Sequence, residues 1–205
     1  MIVVIDVTGR SGHIWTDNTS QPSIEWTEGR HSEILGSHLL KLQSHAPIQK
    51  VGVITGPGSF TGIRVGISIA MGLAAAGEVE LYGYSLFDLA WNWVECEGIQ
   101  TEGIYFDAVR QLVYSQTNPG STIQFGPKDH LTAGWLKGRQ TEPLSEHDGT
   151  EQQGNHIPCL GERFVQLIMN GDLKTTTNLE PLYVRPPDAK VGTPLLERLL
   201  KKTNS

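Results

Sequence analysis

Residues 55–76, TGPGSFTGIRVGISIAMGLAAA, decide the fold of this chain. They contain the end of a short apolar strand, a glycine-rich turn and a helix predicted over about residues 61–76. Backbone N–H groups at a helix N-terminus bind anions, but Pro57 lacks an N–H and no lysine follows at the spacing of a phosphate-binding loop. The turn is therefore better explained by an N-cap at Ser59 or Thr61 than by a nucleotide cradle. Its residues are Gly56, Pro57, Gly58, Ser59, Phe60 and Thr61.

Small residues recur along the predicted helix. Gly62, Gly66 and Ala70 are four apart, so they share one stripe. An interior glycine costs about 0.5–1 kcal/mol relative to alanine, which indicates that another backbone approaches closely at Gly66 and Gly72. Spacing alone leaves open whether that backbone belongs to the same chain or to a different one.

The segments around this helix alternate between strand and helix patterns. Strands are predicted at 1–7, 13–16, 23–27, 51–55 and 80–84, and helices at 30–45 and, after an N-cap at Ser85, through Val94. This order is typical of an α/β fold. A composition shift near Gly98 predicts a first lobe, 1–98, that contains the helices at about 30–45 and 61–76.

A smaller, shortened second lobe is predicted over 99–205. Residues 103–106 and 112–116 have strand patterns, and 161–169 and 193–202 have helical patterns. The last helix is a candidate for packing back on the first lobe. Residues 117–158 give no clear pattern.

Composition bounds the function. The 205 residues include two cysteines and carry a net charge of −6, with 16 Lys+Arg against 22 Asp+Glu. Two cysteines are too few for a disulfide framework, and the chain has neither a signal-peptide pattern nor an apolar run of membrane length. We therefore expect a cytoplasmic protein with no membrane contact. Its acidic balance favours only indirect contact with nucleic acid.

Three histidines, His31, His38 and His45, lie seven residues apart in the first predicted helix. Seven residues correspond to about 10.5 Å of rise, whereas two imidazoles on one metal must both lie within about 2.1 Å of it. The spacing therefore predicts a stripe on one helix face and no metal site.

Four blocks in order resemble the TsaB (YeaZ) family. They are GPGSFTGIRVGISIAMG at 56–72, RHSE at 30–33, DAVRQLVY at 107–114 and PLYVR at 181–185. The first block is highly specific, and the third has one extra residue before its arginine. The resemblance implies an actin-like ATPase fold (ASKHA, ribonuclease H-like) in which mixed sheets flanked by helices form two lobes.

The resemblance also implies a role. TsaB is the non-catalytic scaffold and activator in the bacterial complex that forms threonylcarbamoyladenosine on tRNA, together with the catalytic TsaD and the ATPase TsaE. Its first two helices form a bundle with TsaD or with a second TsaB, so a TsaD-like subunit, a TsaE-like ATPase and a homodimer are the expected partners. The residues expected at the bundle are Arg30, His31, Leu35, His38, Leu39, Leu42, Gly62, Ile63, Gly66, Ile67 and Ala70.

Departures from the actin-like pattern argue against independent catalysis. The usual Thr-Ser/Ala-Thr after the first-strand aspartate is absent, which leaves Asp6 and Arg10 as candidate anion contacts. The histidine pair, four apart, that holds iron in TsaD is absent as well. We expect no metal and no cofactor bound by this chain alone, with ATP or ADP only at the level of a complex. The alternative is an actin-like small-molecule kinase or ATPase that uses Asp6 and Asp107.

Overall fold

The structure is a computed structural model that describes residues 1–18, 23–27, 31–138, 156–157 and 159–184. The first sheet has the order β3-β2-β1-β4-β5. Its strands are β1 (Ile2–Asp6), β2 (Gly12–Thr16), β3 (Ser23–Trp26), β4 (Lys50–Ile54) and β5 (Glu80–Tyr84). Strands β1, β4 and β5 are parallel, and β2 and β3 extend the sheet in antiparallel pairings.

Helices cover both faces of this sheet. They are α1 (His31–His45), α2 (Phe60–Ala76), α3 (Leu86–Glu97) and α4 (Leu160–Asn170). Alternate side chains of β1 point to opposite faces: Val3 and Ile5 pack with α1 and α2, while Val4 packs with α3 and α4. A capping box at Ser85 starts α3, and Gly98, in a left-handed conformation, ends it.

The second sheet repeats the strand order of the first. Its order, β10-β9-β6-β7-β8, is fifth-fourth-first-second-third when the strands are counted from β6, which is the order of the first sheet read from the opposite edge. The strands are β6 (Gly103–Asp107), β7 (Leu112–Gln116), β8 (Gln124–Pro127), β9 (Trp135–Gly138) and β10 (His156–Ile157). A short 3-10 turn, Lys128–His130, joins β8 to β9 where the first sheet has the 15-residue helix α1.

The two sheets share one core. Phe87 of α3 packs edge-on against Phe106 of β6, with ring centroids 5.0 Å apart. Phe164 of α4 belongs to the same buried cluster and is fully buried. The two helices therefore lie between the sheets and fix one lobe against the other.

The C-terminal part of the described chain lies on the first sheet. Helix α4 packs on β1, β2 and β4, and residues 173–184, here termed the strap, run on along the edge of β5. The Thr176 N–H donates to the Leu81 carbonyl at 2.8 Å, and the Leu182 N–H donates to the Thr55 carbonyl at the same distance. Residues assigned from sequence to the second lobe thus pack on the first. The helix expected at 193–202 lies outside the described residues.

Candidate functional site

The glycine stripe of α2 faces the chain's own first sheet. A Cβ atom at position 62 would lie 1.9 Å from the Val7 carbonyl oxygen, and one at position 66 would lie 2.9 Å from a Val7 methyl carbon. Ala70, on the same stripe, is fully buried. The prediction that this stripe faces a partner is therefore wrong. Gly62 admits the backbone of Val7, just after β1, and Gly66 admits the Val7 side chain.

The apolar residues expected at a partner contact are also buried within the chain. Each of the following is at most 7% exposed: Leu35, Leu39, Leu42, Ile63 and Ile67. They form the core between the two helices and the sheet, together with Val3 and Ile5. The prediction that these five residues contact a partner is therefore corrected as well, because the chain itself buries them. Arg30, the first residue of the expected set, lies outside the described residues.

Two of the expected residues, His31 and His38, lie half-buried around Trp26 of β3. The Trp26 indole N–H donates to His31 Nδ1 at 3.0 Å, and the Trp26 and His38 rings are 5.8 Å apart. These imidazoles close the edge of the core beside α1. His45, at the end of α1, is exposed and contacts the Lys41 carbonyl through Nδ1 at 2.7 Å.

The exposed side of α1 and α2 forms a different surface, here termed the outward face. Since each helical residue turns by about 100°, positions 64, 68 and 71 lie roughly 180–240° around α2 from Gly62. Leu40 is 71% exposed and Met71 is 39% exposed, and no atom of the described residues lies within 4 Å of a Cβ built on Gly36 or Gly72. The outward face comprises Ser32, Gly36 and Leu40 of α1 and Arg64, Ser68, Met71 and Gly72 of α2.

None of the residues of this surface is among those expected at a partner contact from the sequence. The Ser32, Gly36 and Leu40 positions repeat every four residues, as do Arg64, Ser68 and Gly72, so each set forms a stripe. Because both stripes mix polar, small and apolar side chains, neither has the hydrophobic periodicity that marks a packed face. The sequence signal that could have identified it is Leu40, an apolar residue that lies off the helix face formed by Leu35, Leu39 and Leu42.

An open groove of about 370 Å³ lies where the N-terminal ends of the two helices meet. Arg64 forms part of its lining, and the guanidinium lies 4.0 Å from the centroid of the Phe60 ring. Arg64 Nε also donates to the Tyr183 hydroxyl at 2.7 Å. The other lining residues are Ser32, Thr61, Val65, Ser68 and Ile69.

The glycine-rich turn is occupied by protein. The Ser59 N–H donates to the Thr8 carbonyl at 2.6 Å, and Ser59 Oγ accepts from the Gly62 N–H at 3.1 Å, which caps α2. A Cβ at Gly56, whose φ is +126°, would lie 2.6 Å from the Leu182 carbonyl oxygen. The turn thus packs against Thr8 and Leu182, and the Ser59 and Gly62 N–H groups are hydrogen-bonded within the chain.

Asp6 is enclosed by the chain. It is 2% exposed, and its Oδ1 accepts from the Thr8 N–H at 2.8 Å and from the Thr8 hydroxyl at 2.6 Å. Burial raises the pKa of Asp6 to about 6, against the opposing effect of these two hydrogen bonds. Arg10 is exposed at the following turn. The two candidate anion contacts therefore differ in environment, one in the core and one in solvent.

Asp107, the second carboxylate of the kinase alternative, points away from Asp6. Asp6 is two residues from Val4 on β1 and points to the same face, toward the core shared by the sheets, whereas Asp107 is adjacent to Phe106 on β6 and points to the opposite, outward face. Lys128 and Lys137 form ion pairs with Asp107. Although burial opposes it, these two lysines hold the pKa of Asp107 below its usual value. The two carboxylates thus do not converge on one ligand.

Metal ligands do not cluster in the described residues, where no group of three His, Cys, Asp or Glu side chains could hold an ion. Among the same residues, no helix has the length and apolar character needed to cross a lipid bilayer.

Comparison with known proteins identifies a matching family. The family model described as "TsaD: tRNA N6-adenosine threonylcarbamoyltransferase" matches residues 22–134, more than half of the chain. Curated protein sequences yield no match.

Two solved structures share the fold. YeaZ from Pseudomonas aeruginosa has a TM-score of 0.59 at 17% identity, covering 89% of this chain and 99% of that one. A second, described as an uncharacterized protein with similarity to peptidase YEAZ from Pseudomonas aeruginosa, has a TM-score of 0.61 at 17% identity, covering 90% and 99%. With its two mixed sheets and flanking helices, the chain belongs to the TsaD family and has the two-lobed, actin-like α/β fold of YeaZ.

Proposed function

We propose that this chain is a non-catalytic activator subunit of the machinery that forms threonylcarbamoyladenosine on tRNA. In this proposal it binds a TsaD-like catalytic subunit through the outward face of α1 and α2. The observation that carries the proposal is the 71% exposure of Leu40 on a face where no described residue packs over Gly36 or Gly72. Exposed apolar side chains beside bare glycines suit the close approach of a partner helix.

The remaining site geometry supports a non-catalytic role. Asp6 is buried and hydrogen-bonded to Thr8, and Asp107 faces the other way in two ion pairs. An actin-like kinase or ATPase needs acidic groups that converge on a metal-bound nucleotide. We therefore assign ATP or ADP, and a TsaE-like ATPase, to the assembled complex, and we assign tRNA contact to the partner because this chain carries a net charge of −6.

The experiment is a binding and modification assay with the TsaD-like subunit of the same organism. Leu40→Glu places a charge on the outward face without disturbing the core, because Leu40 is largely exposed. We expect this variant to remain folded, to lose co-elution with the partner and to lose threonylcarbamoyladenosine formation. Gln166→Glu, an exposed site on α4, is the matched control and should behave like the wild type.

Full binding and modification by Leu40→Glu would show that the outward face is not the docking surface. The kinase alternative is tested by ATP turnover on the purified chain, for which we expect no activity above buffer. Turnover that disappears in Asp6→Asn would favour the alternative.

A further inference from the structure

Arg64 is held in a fixed orientation by residues from two distant parts of the chain. Its guanidinium lies over the Phe60 ring at 4.0 Å, and its Nε donates to the Tyr183 hydroxyl at 2.7 Å. The Phe60 and Tyr183 rings contact each other, with centroids 4.6 Å apart. Tyr183 belongs to the strap, which the Leu182 N–H attaches to the Thr55 carbonyl. The aromatic pair therefore pre-orients the arginine at the rim of the groove.

The terminal donors of Arg64 remain available. A guanidinium has five N–H donors, and Tyr183 accepts from Nε alone. Among the described residues, no carboxylate lies within ion-pair distance of Arg64, whose contacts are with Phe60 and Tyr183. An oriented cation without an anion, in a chain of net charge −6, is suited to an anion from outside the chain.

We infer that Arg64 binds a carboxylate carried by a helix of the TsaD-like partner, and that Tyr183 is the positioning residue that aims the guanidinium at it. This inference rests on the proposed function, because it names the chemistry that the docking surface recognises. A guanidinium binds a carboxylate through two parallel hydrogen bonds, which gives both energy and orientation.

The surroundings of Arg64 favour a protein carboxylate over a nucleic-acid phosphate. Val65 and Ile69 line the groove, and Leu40 and Met71 are exposed on the same face. Binding to a phosphate backbone usually uses several cations, whereas Lys41 is the sole other Lys or Arg in α1 and α2. The surface therefore fits an apolar helix that carries one acidic side chain.

Among the described residues of the outward face, a second copy of this chain offers no carboxylate. In a two-fold symmetric dimer the same patch is used by both subunits. Helices α1 and α2 together contain one acidic residue, Glu33, and Glu33 already interacts within its own chain. We therefore assign the acidic side chain to a different protein.

The test measures affinity for the purified TsaD-like subunit by calorimetry at 50 and 500 mM NaCl. We expect Arg64→Gln to raise Kd by about tenfold to a hundredfold, because a charge-assisted double hydrogen bond is lost. Tyr183→Phe keeps the ring but removes the acceptor, and should raise Kd by about threefold. Lys174→Gln removes the same charge from an exposed position on the strap and is the control.

A readout beyond affinity separates positioning from folding. The weakening of binding by salt should be smaller in Arg64→Gln than in the wild type, while thermal unfolding of the free chain stays unchanged. Arg64→Lys, which keeps the charge without the planar fork, should lie between the two in affinity and serves if Arg64→Gln fails to fold.

Three results would overturn the inference. If the Kd of Arg64→Gln lies within twofold of the wild-type value, Arg64 does not bind a partner carboxylate. The proposed function is still supported in that case if Leu40→Glu abolishes binding. An unchanged Kd for Tyr183→Phe removes the positioning role. Loss of self-association by Arg64→Gln with intact binding to the TsaD-like subunit assigns the carboxylate to a second copy instead.

Discussion

The carbonyl oxygen of Val7 occupies the space where a side chain at Gly62 would begin. An ideal Cβ on Gly62 would lie 1.9 Å from that oxygen, and real Cβ atoms essentially never approach within 3.0 Å. Even one methyl group would therefore force α2 away from the end of β1. Gly62 is a packing residue of the first sheet, and the small-residue stripe is explained without a partner.

Gly62→Ala should destabilise the protein, and Gly72→Ala should stabilise it. We expect the first substitution to lower the free energy of unfolding by about 2 kcal/mol or more through overpacking against Val7. The second, at an exposed helical position with open space above it, should raise the same free energy by about 0.5–1 kcal/mol. Urea unfolding of both variants gives the comparison. Equal effects would contradict the assignment of inner and outer faces.

A larger side chain at Gly72 should affect binding and stability in opposite directions. Gly72→Leu adds a good helix former where the free chain has room, so the free energy of unfolding should be unchanged or higher. The same side chain would block a helix that approaches the outward face, so affinity for a TsaD-like subunit should fall by about tenfold or more. Ala76→Leu, one turn further along α2 at its C-terminal end, is the comparison, and we expect it to weaken binding less. Undiminished binding by Gly72→Leu would place the partner helix elsewhere.

The first lobe could be predicted from sequence because its signals are local. The structure confirms the strand predicted from the β-branched run at the N-terminus, which is β1, and the helix predicted from the apolar periodicity that follows, which is α1. The direction of the glycine stripe could not be predicted, because Gly62 and Gly66 show that something packs closely but not which neighbour does. The residues that the resemblance led us to expect at a partner contact include the glycine stripe, which the chain buries against its own first sheet.

The second lobe was harder because its packing is long-range. Strands β8 and β9 have four residues each, and their sequences, QFGP and WLKG, do not alternate between apolar and polar side chains. A Cβ at Gly103 would lie 2.4 Å from the Trp135 ring, and one at Gly138 would lie 2.1 Å from the Phe106 ring. Each glycine admits an aromatic ring some 30 positions away in sequence, and no local pattern records such a pairing.

The ionisation of Asp6 should make stability fall as pH rises. The folded state raises its pKa from 3.8 to about 6, so between these values the folded protein binds more protons than the unfolded chain. The free energy of unfolding then decreases with pH across this window. The contribution is fully present below about pH 4 and lost above about pH 6, with a size of about 3 kcal/mol.

Asp6→Asn isolates this effect, because the amide oxygen can still accept from Thr8 and does not titrate. The stability of the variant minus that of the wild type should increase from pH 4 to pH 7, as measured by urea unfolding at each pH. Thr8→Val gives the opposite control. Removing the hydroxyl that donates to the carboxylate at 2.6 Å should cost more stability at pH 7 than at pH 4. A pH-independent difference for Asp6→Asn would mean that the carboxyl titrates alike in both states.

Leu179 should account for much of the attachment of the strap to the first lobe. It is 4% exposed, and its side chain fills the space above Gly83, where a Cβ would lie 2.6 Å from it. Leu179→Ala should lower the free energy of unfolding by about 2–4 kcal/mol, whereas the same change at Leu40, which is 71% exposed, should stay within about 0.5 kcal/mol. Because the strap carries Tyr183 to Arg64, a loosened strap should also weaken partner binding when the Leu179→Ala protein is assayed well below its unfolding temperature. A destabilised variant with unchanged affinity would show that Arg64 keeps its orientation through Phe60 alone.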